Sequence, residues 1–394
     1  MEEKYIPLSV PNLKGNELNY VSDAIHSEWV STGGKFISDF EEGIAKYVNV
    51  ERAVACQSGT AGLHLALICC GVETGDEVIA PCLTFIAAVN PIRYVNANPV
   101  FMDCDDTLNI DCDKLEDFLS DQCDFVEGKT INKKTGAHIK AIIVVHVFGN
   151  IANMEKIMKV AETYNLKVIE DATEALGTYY TEGVYKGRYA GTIGNMGVFS
   201  FNGNKIITTG GGGMIVSNNL DYLSRAKYLS TQAKDDEVYF IHGDVGYNYR
   251  MTNLQGALGV AQLEKLEDFI QIKKENYFQY KKELEGVEEV RLMDFEISTR
   301  PNYWFYSLVL DSGFVHKMSV SNFIEKMAEY RIQTRPVWGL IHEQKPYLDC
   351  QSYKIEKAIY YRDRIINIPC SSDLEFKDVQ RVIKTIRTVL GGKT

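Results

Sequence analysis

Gly197-Val198-Phe199-Ser200-Phe201-Asn202-Gly203-Asn204-Lys205-Ile206-Ile207-Thr208-Thr209 runs into four consecutive glycines, Gly210 to Gly213, and then into Met214-Ile215-Val216. Val198 to Phe201 reads as an apolar strand, Asn202-Gly203-Asn204 as a turn that presents Lys205, and Met214 to Val216 as a second strand. A run of four glycines packs nothing and costs conformational entropy, so it marks backbone that turns tightly or lies close against something. A solvated lysine at the tip of a hairpin is the plain alternative. What separates the two readings is the set of residues elsewhere that share the chemistry of one lysine.

Composition narrows the field. The chain has 394 residues, of which 45% are hydrophobic and 24% charged, an ordinary globular balance with length enough for two domains. Its formal net charge of -11 and pI near 5.3 argue against a nucleic-acid partner, which normally leaves a basic footprint. Met1-Glu2-Glu3-Lys4 lacks the basic and apolar segments of a secretory signal. Apolar runs such as Val78 to Ala88 are interrupted, so no bilayer span is expected. Nine cysteines without a CxxC pattern suggest reduced, mostly buried thiols in a cytoplasmic protein without a metal site.

Strands alternate with helices through the first half. Ala53 to Cys56 is followed by Gln57-Ser58-Gly59-Thr60-Ala61-Gly62 and a helix bearing Leu63 and Leu67. Small residues between a strand and a helix N-terminus suit an anion, because the first N–H groups of the helix have no intrahelical acceptor. The spacing is neither GxGxxG nor Walker A, and a simple N-cap is the competing reading. Strands are expected at Glu77 to Ala80, Pro99 to Asp103, Ala141 to Val145 and Leu166 to Glu170. Helices are expected over Phe85 to Val95 and Asp113 to Leu119, with a surface hairpin inserted at 121–140. Repeating βα units predict a mostly parallel sheet with ligands beyond the strand C-terminal ends. Phe85, His146 and Asp171 all stand at such ends.

Before these units, a helix from Lys35 to Tyr47 follows the loop Trp29-Val30-Ser31-Thr32-Gly33-Gly34, which either lines a sugar pocket or caps the helix. We take Trp29, Ser31 and Lys35 as substrate-binding candidates, together with His146 and Arg250. After Thr252, which can cap a helix, one long helix is expected toward Glu285, with Leu254, Leu258 and Ala261 on its packed face. The pattern then changes to a smaller α/β unit: a strand at Trp304 to Leu310, helices at Val320 to Tyr330 and Phe376 to Leu390, and a cluster of Arg335, Trp338 and His342 near a turn. The large unit is assigned to 1–264, with a hairpin at 240–252, and the small one to 265–394.

A phosphate cradle, a carboxylate at a parallel-strand edge and a lysine at a glycine-rich turn are together what pyridoxal phosphate requires. Asp171-Ala172-Thr173-Glu174, Ser200-Phe201-Asn202-Gly203-Asn204-Lys205 with the glycine run, and Gly246-Tyr247-Asn248-Tyr249-Arg250-Met251-Thr252-Asn253 resemble the DegT/DnrJ/EryC1/StrS sugar aminotransferases over essentially the whole chain. Ser58-Gly59-Thr60-Ala61 and Thr334-Arg335-Pro336-Val337-Trp338 extend the likeness. The resemblance implies the α/β aminotransferase fold type I and pyridoxal 5'-phosphate as cofactor. Lys205 would carry the cofactor and shuttle a proton, and Asp171 would pair with its ring nitrogen. Phe85 would lie against the ring, Gly59, Thr60 and Ser200 would hold the phosphate, and Asn248 would reach over from a second subunit of a homodimer. Glu174 occupies a position near the cofactor's 3-oxygen where many relatives carry His or Gln. Within the family the chain is most similar to the subgroup acting on UDP-2-acetamido-2,6-dideoxy-4-keto-hexoses, of the legionaminic acid and bacillosamine type, with L-glutamate as amino donor. Arg250 and Lys35 are the candidates for the nucleotide diphosphate. Relatives with His in place of the lysine are dehydratases; that activity and a non-catalytic regulatory role are the alternatives, and Lys205 favours transamination.

Overall fold

A computed structural model describes residues 3–236 and 238–391. Its centre is a ten-stranded sheet. In spatial order the main path runs Ala53–Cys56, Gly213–Val216, Met196–Ser200, Lys167–Asp171, His138–Val145, Glu77–Pro81, Asn98–Met102 and Ser352–Tyr353. The strands from Met196–Ser200 onward are mutually parallel; Gly213–Val216 and Ala53–Cys56 are antiparallel to their neighbours. Burial of nearly every residue in the central strands explains why they read as continuous apolar runs without alternation. The insertion is a hairpin, Cys123–Val126 with Lys129–Asn132, and its second strand pairs with the start of His138–Val145.

Two helical expectations need correction. Phe85 to Val95 is not one helix: a single 3-10 turn, Ile86–Ala88, precedes the short helix Asn90–Tyr94, whose second residue is Pro91. Proline has no N–H to give to an earlier turn, so it begins a helix rather than continuing one. The long helix after Thr252 is two helices, Asn253–Leu263 and Leu266–Leu284, the first closed by a capping box between Thr252 and Gln255. Its packed face is built by Gly256, Ala257, Gly259 and Ala261, whereas Leu254 and Leu258 are only half-buried. Helix Lys35–Tyr47 crosses it so closely that a Cβ on Gly256 would sit 2.8 Å from the Phe36 carbonyl.

Past residue 290 a four-stranded antiparallel sheet, Val290–Leu292, Tyr306–Leu310, Ile365–Ile368 and Arg335–Pro336, is covered by helices Leu266–Leu284, Val320–Glu329 and Phe376–Val389. The last helix buries Val379, Val382, Ile386 and Val389, the spacing that predicted it. This portion returns to the large sheet at Ser352–Tyr353 and pairs Thr299–Arg300 with Tyr179–Tyr180. Among the described residues no helix is long and apolar enough to cross a membrane, and seven of the nine cysteines are buried with all nine free.

Candidate active site

The strand ends on one side of the large sheet open into a cleft of ≈ 340 Å³, closed from above by Trp304, Phe305 and Trp338 of the C-terminal portion. The floor begins at Ser58. Its side chain caps helix Gly59–Cys69 by accepting from the Ala61 N–H at 3.1 Å, so the capping reading is right for Ser58 and leaves Gly59 and Thr60 facing the cleft. The first-turn N–H groups of such a helix are positive and without intrahelical acceptors. Gly59 is enforced by packing: a Cβ there would lie 2.9 Å from the Thr173 methyl and 3.0 Å from Ser200 Cβ. The glycine run serves the same convergence. Gly212 has φ +125°, and a Cβ on Gly213 would meet the Ser58 carbonyl at 2.6 Å.

Lys205 is not a solvated hairpin lysine. Its side chain is 12% exposed, its Nζ lies 3.7 Å from Glu174 Oε1, and it sits 4.2 Å from the centroid of the Trp304 ring. Asp171 is buried at the end of strand Lys167–Asp171, accepting from the Thr173 N–H at 3.1 Å. Burial pushes its pKa above the ordinary carboxylate value; hydrogen bonds from Thr173 and the charge of Lys205 pull the other way. Burial likewise raises Glu174, to about 7, against the opposing pull of Lys205. The second oxygen of Glu174 accepts from the Phe148 N–H at 2.8 Å. Phe148 reaches that geometry with φ 56°, a left-handed conformation uncommon for a bulky residue.

The remaining candidates divide sharply. Phe85 lines the cleft and is 54% exposed, although its aromatic ring by habit belongs in a core. Ser200 lines the same cleft. His146 does not reach it, which corrects the expectation of a substrate contact. It is fully buried, with Nε2 2.9 Å from Glu170 Oε2 and Nδ1 accepting from the Ala152 N–H at 3.1 Å. Glu170 also takes N–H groups of Gly191, Ile193 and Gly194, so this pair ties a loop to the sheet. His342 is likewise displaced, half-buried against Phe101. Trp29, Ser31, Lys35, Asn248 and Arg250 are outside this chain's own cleft. The carbonyls of Trp29 and Ser31 accept from Asn253, Lys35 stands 3.6 Å from Asp39, Asn248 is exposed, and Arg250 has a buried Nε without a partner among the described residues. Trp304, Phe305, Thr84, Thr173 and Asn202 line the cleft without having been singled out; only Trp304-Phe305, aromatics opening an apolar strand, carried any signal.

Residues 11–387 match the model of the DegT/DnrJ/EryC1/StrS aminotransferase family. The chain belongs to that family. It is 37% identical over 388 residues to EpsN of Bacillus subtilis (strain 168), a candidate pyridoxal phosphate-dependent aminotransferase, covering 97% of this chain and 95% of EpsN. It is 36% identical over 389 residues to the GDP-perosamine synthase of Caulobacter vibrioides, covering 98% of both. Among solved structures, the aminotransferase TlmJ from Streptoalloteichus hindustanus superposes with a TM-score of 0.87 at 25% identity, over 98% of this chain and 99% of TlmJ. This family member is a pyridoxal phosphate-dependent aminotransferase of fold type I.

The cleft fits that cofactor. Asp171 is a buried carboxylate whose ionisation burial disfavours, which is the condition a protonated ring nitrogen relieves. The open helix start suits a phosphate. Lys205 is the one lysine lining the cleft among the described residues, and the exposed Phe85 ring gains cover from a planar partner.

Proposed function

We propose that this aminotransferase moves an amino group from L-glutamate to C4 of a nucleotide-linked 4-keto-6-deoxy sugar, UDP-2-acetamido-2,6-dideoxy-hexos-4-ulose, for surface glycan synthesis in the cytoplasm. The observation that carries the reading is Lys205, held between the Glu174 carboxyl and the Trp304 ring above a buried Asp171. When bound, pyridoxal phosphate supplies an aldehyde that links to amines and a ring that accepts the electron pair released when a neighbouring C–H bond breaks. The chain supplies everything else. Asp171 would favour the protonated ring nitrogen, and Gly59, Thr60 and Ser200 would hold the phosphate. Lys205 would hold the cofactor through its Nζ, and the same Nζ would move the proton that the amino transfer requires. Glu174 is the group beside it able to hold a proton near neutral pH. Trp304, Phe305 and Trp338, from a small 265–394 unit closing over the cleft, exclude water.

Trp29, Ser31, Lys35, Asn248 and Arg250 fit this scheme only if they serve a neighbour's cleft. We read them as the contribution of one protomer of a homodimer to the other: Asn248 to the phosphate, Arg250 and Lys35 to the nucleotide diphosphate. The UDP-4-amino-4,6-dideoxy-N-acetyl-beta-L-altrosamine transaminase of Campylobacter jejuni, 29% identical, supports an acetamido sugar on UDP. The higher identity of a GDP-perosamine synthase favours a second reading, a GDP-linked sugar. Incubation with glutamate and a panel of UDP-, GDP- and dTDP-linked keto-sugars, followed by mass spectrometry, tests both. Amination confined to a UDP-linked 4-keto-sugar supports the first reading. Amination of GDP-linked sugar alone selects the second, and amination of a 3-keto-sugar alone refutes both.

A further inference from the structure

We propose that Lys273 is a positioning residue for Lys205 and acts on it through Trp304. Lys273 lies in the middle of helix Leu266–Leu284 and is 3% exposed. Its ammonium donates to the Trp304 carbonyl at 3.1 Å and to the Cys370 carbonyl, and it stands 5.8 Å from the Tyr306 ring centroid. Among the described residues no carboxylate forms an ion pair with it, although Asp373 is near enough to favour its charge. A buried cation without an anion is costly, and burial indeed pulls the Lys273 pKa down. Methionine would fill the same space without that cost, so the two carbonyl bonds are what the ammonium provides.

Both carbonyls belong to strand approaches: Trp304 leads into Tyr306–Leu310, and Cys370 follows Ile365–Ile368. The Tyr306 hydroxyl donates back to the Lys273 carbonyl at 2.7 Å, which ties helix and strand together at one point. From there every link to the reactive lysine is a direct contact. Trp304 Nε1–H donates to the carbonyl of Asn204, the residue before Lys205, at 2.8 Å. The Trp304 ring faces Lys205 Nζ and stacks on Phe305 with centroids 4.0 Å apart and planes 9° apart. Lys273 therefore fixes the backbone of the residue whose ring and N–H set where Lys205 points. Without it two buried carbonyls lose their donor, and the Trp304 segment is free to shift relative to the turn.

This inference rests on Lys205 being the attachment lysine, and borohydride trapping with peptide mapping of the native holoenzyme checks that separately: a label on another lysine overturns the assignment itself. With Lys205 labelled, Lys273→Met, Lys273→Arg and Trp304→Phe are compared with the native protein in two measurements. One is kcat and KM; the other is the pH midpoint of the absorbance change of the lysine-linked cofactor. Misplacement of about 1 Å is worth up to about 10²-fold in rate, so we expect Lys273→Met to lower kcat about 10- to 100-fold with KM for glutamate nearly unchanged. The absorbance midpoint should move away from the native value. Lys273→Arg keeps the donors and should recover most of both. Trp304→Phe removes the indole N–H and shortens the ring while leaving an aromatic face over Lys205, and should shift them in the same direction by less. A folded Lys273→Met with native kcat and native midpoint overturns the proposal, as does a stable Lys273→Arg equally defective. If Lys273→Met does not fold, a Trp304→Phe protein with native kcat and midpoint overturns it instead.

Discussion

Two groups of residues expected to serve one active site behave oppositely in one chain. Asp171, Glu174, Ser200 and Lys205 converge at the strand ends, and the first two are buried where a charge is expensive. Trp29, Ser31, Lys35, Asn248 and Arg250 lie outside the cleft, and Lys35 stands in an exposed i,i+4 pair with Asp39. The first group is positioned by its own sheet and is tuned by desolvation. In the second, Trp29, Ser31, Lys35 and Asn248 are exposed, so within one chain the charge of Lys35 is worth little, and Arg250 is half-buried with its Nε unpaired among the described residues. The contrast separates residues complete in one chain from residues whose purpose, on our reading, requires a second.

Lys205 tests the first group most severely. Lys205→Ala should lose about 10²–10⁴-fold or more in turnover, since covalent attachment and proton transfer go together. It should still bind cofactor through Gly59, Thr60, Ser200 and Asp171, and borohydride should no longer fix cofactor to protein. Near-native turnover in this variant breaks the comparison at its root. Asp171→Asn should follow, with a loss of about 10²–10³-fold, the scale of removing one preorganised electrostatic group. Its cofactor-free protein should melt no lower than the native one, because the burial cost carried by the carboxylate disappears with the charge. A drop in melting temperature together with intact turnover would make Asp171 a structural residue.

Asn248 tests the second group. Asn248→Ala should weaken cofactor binding about 10- to 100-fold, the worth of a hydrogen bond to a charged group. The decisive measurement mixes chains. Lys205→Ala and Asn248→Ala subunits, each impaired, should recover about a quarter of native activity on random pairing, because half the dimers then hold one complete site. No recovery in a mixture shown to contain mixed dimers places Asn248 in its own chain's service.

How much of this was readable beforehand follows from where each signal sits. Lys205, Asp171, Gly59, Thr60 and Ser200 stand at element ends beside local marks: a glycine run, a strand terminus, a turn of small residues. The parallel sheet was legible for a related reason, since strands buried on both faces are apolar throughout. His146 carried the same mark as Asp171 and misled, because a strand-end position does not say whether the side chain turns outward to the cleft or inward to Glu170. Trp304 over Lys205 and Lys273 behind it join residues far apart in the chain, and no local spacing encodes such a contact. The break between the helices ending at Leu263 and beginning at Leu266 was missed because its apolar pattern runs through Glu264 and Lys265 without a glycine or proline.

The smallest effect concerns Glu174 and is a matter of sign. Its pKa in the folded protein is about 7, above the ordinary 4.5, so between those values the folded state holds a proton that the unfolded state releases. Stability from this group is therefore full below about pH 4.5 and falls as pH rises toward 7. Glu174→Gln removes the titration while keeping an acceptor for the Phe148 N–H. In cofactor-free protein the two should melt alike near pH 4.5, and the variant should pull ahead by roughly 3–5 °C at pH 7.5 and above, the shift that about 3 kcal/mol produces in a chain of this length. The comparison must be made without cofactor, because covalent use of Lys205 removes the ammonium that now holds Glu174 down. A native protein whose melting temperature rises from pH 5 to 7 relative to Glu174→Gln would mean that Lys205 outweighs burial. Glu174 would then be an ordinary ion-pair partner, and the proton available beside Lys205 at neutral pH would have to come from elsewhere.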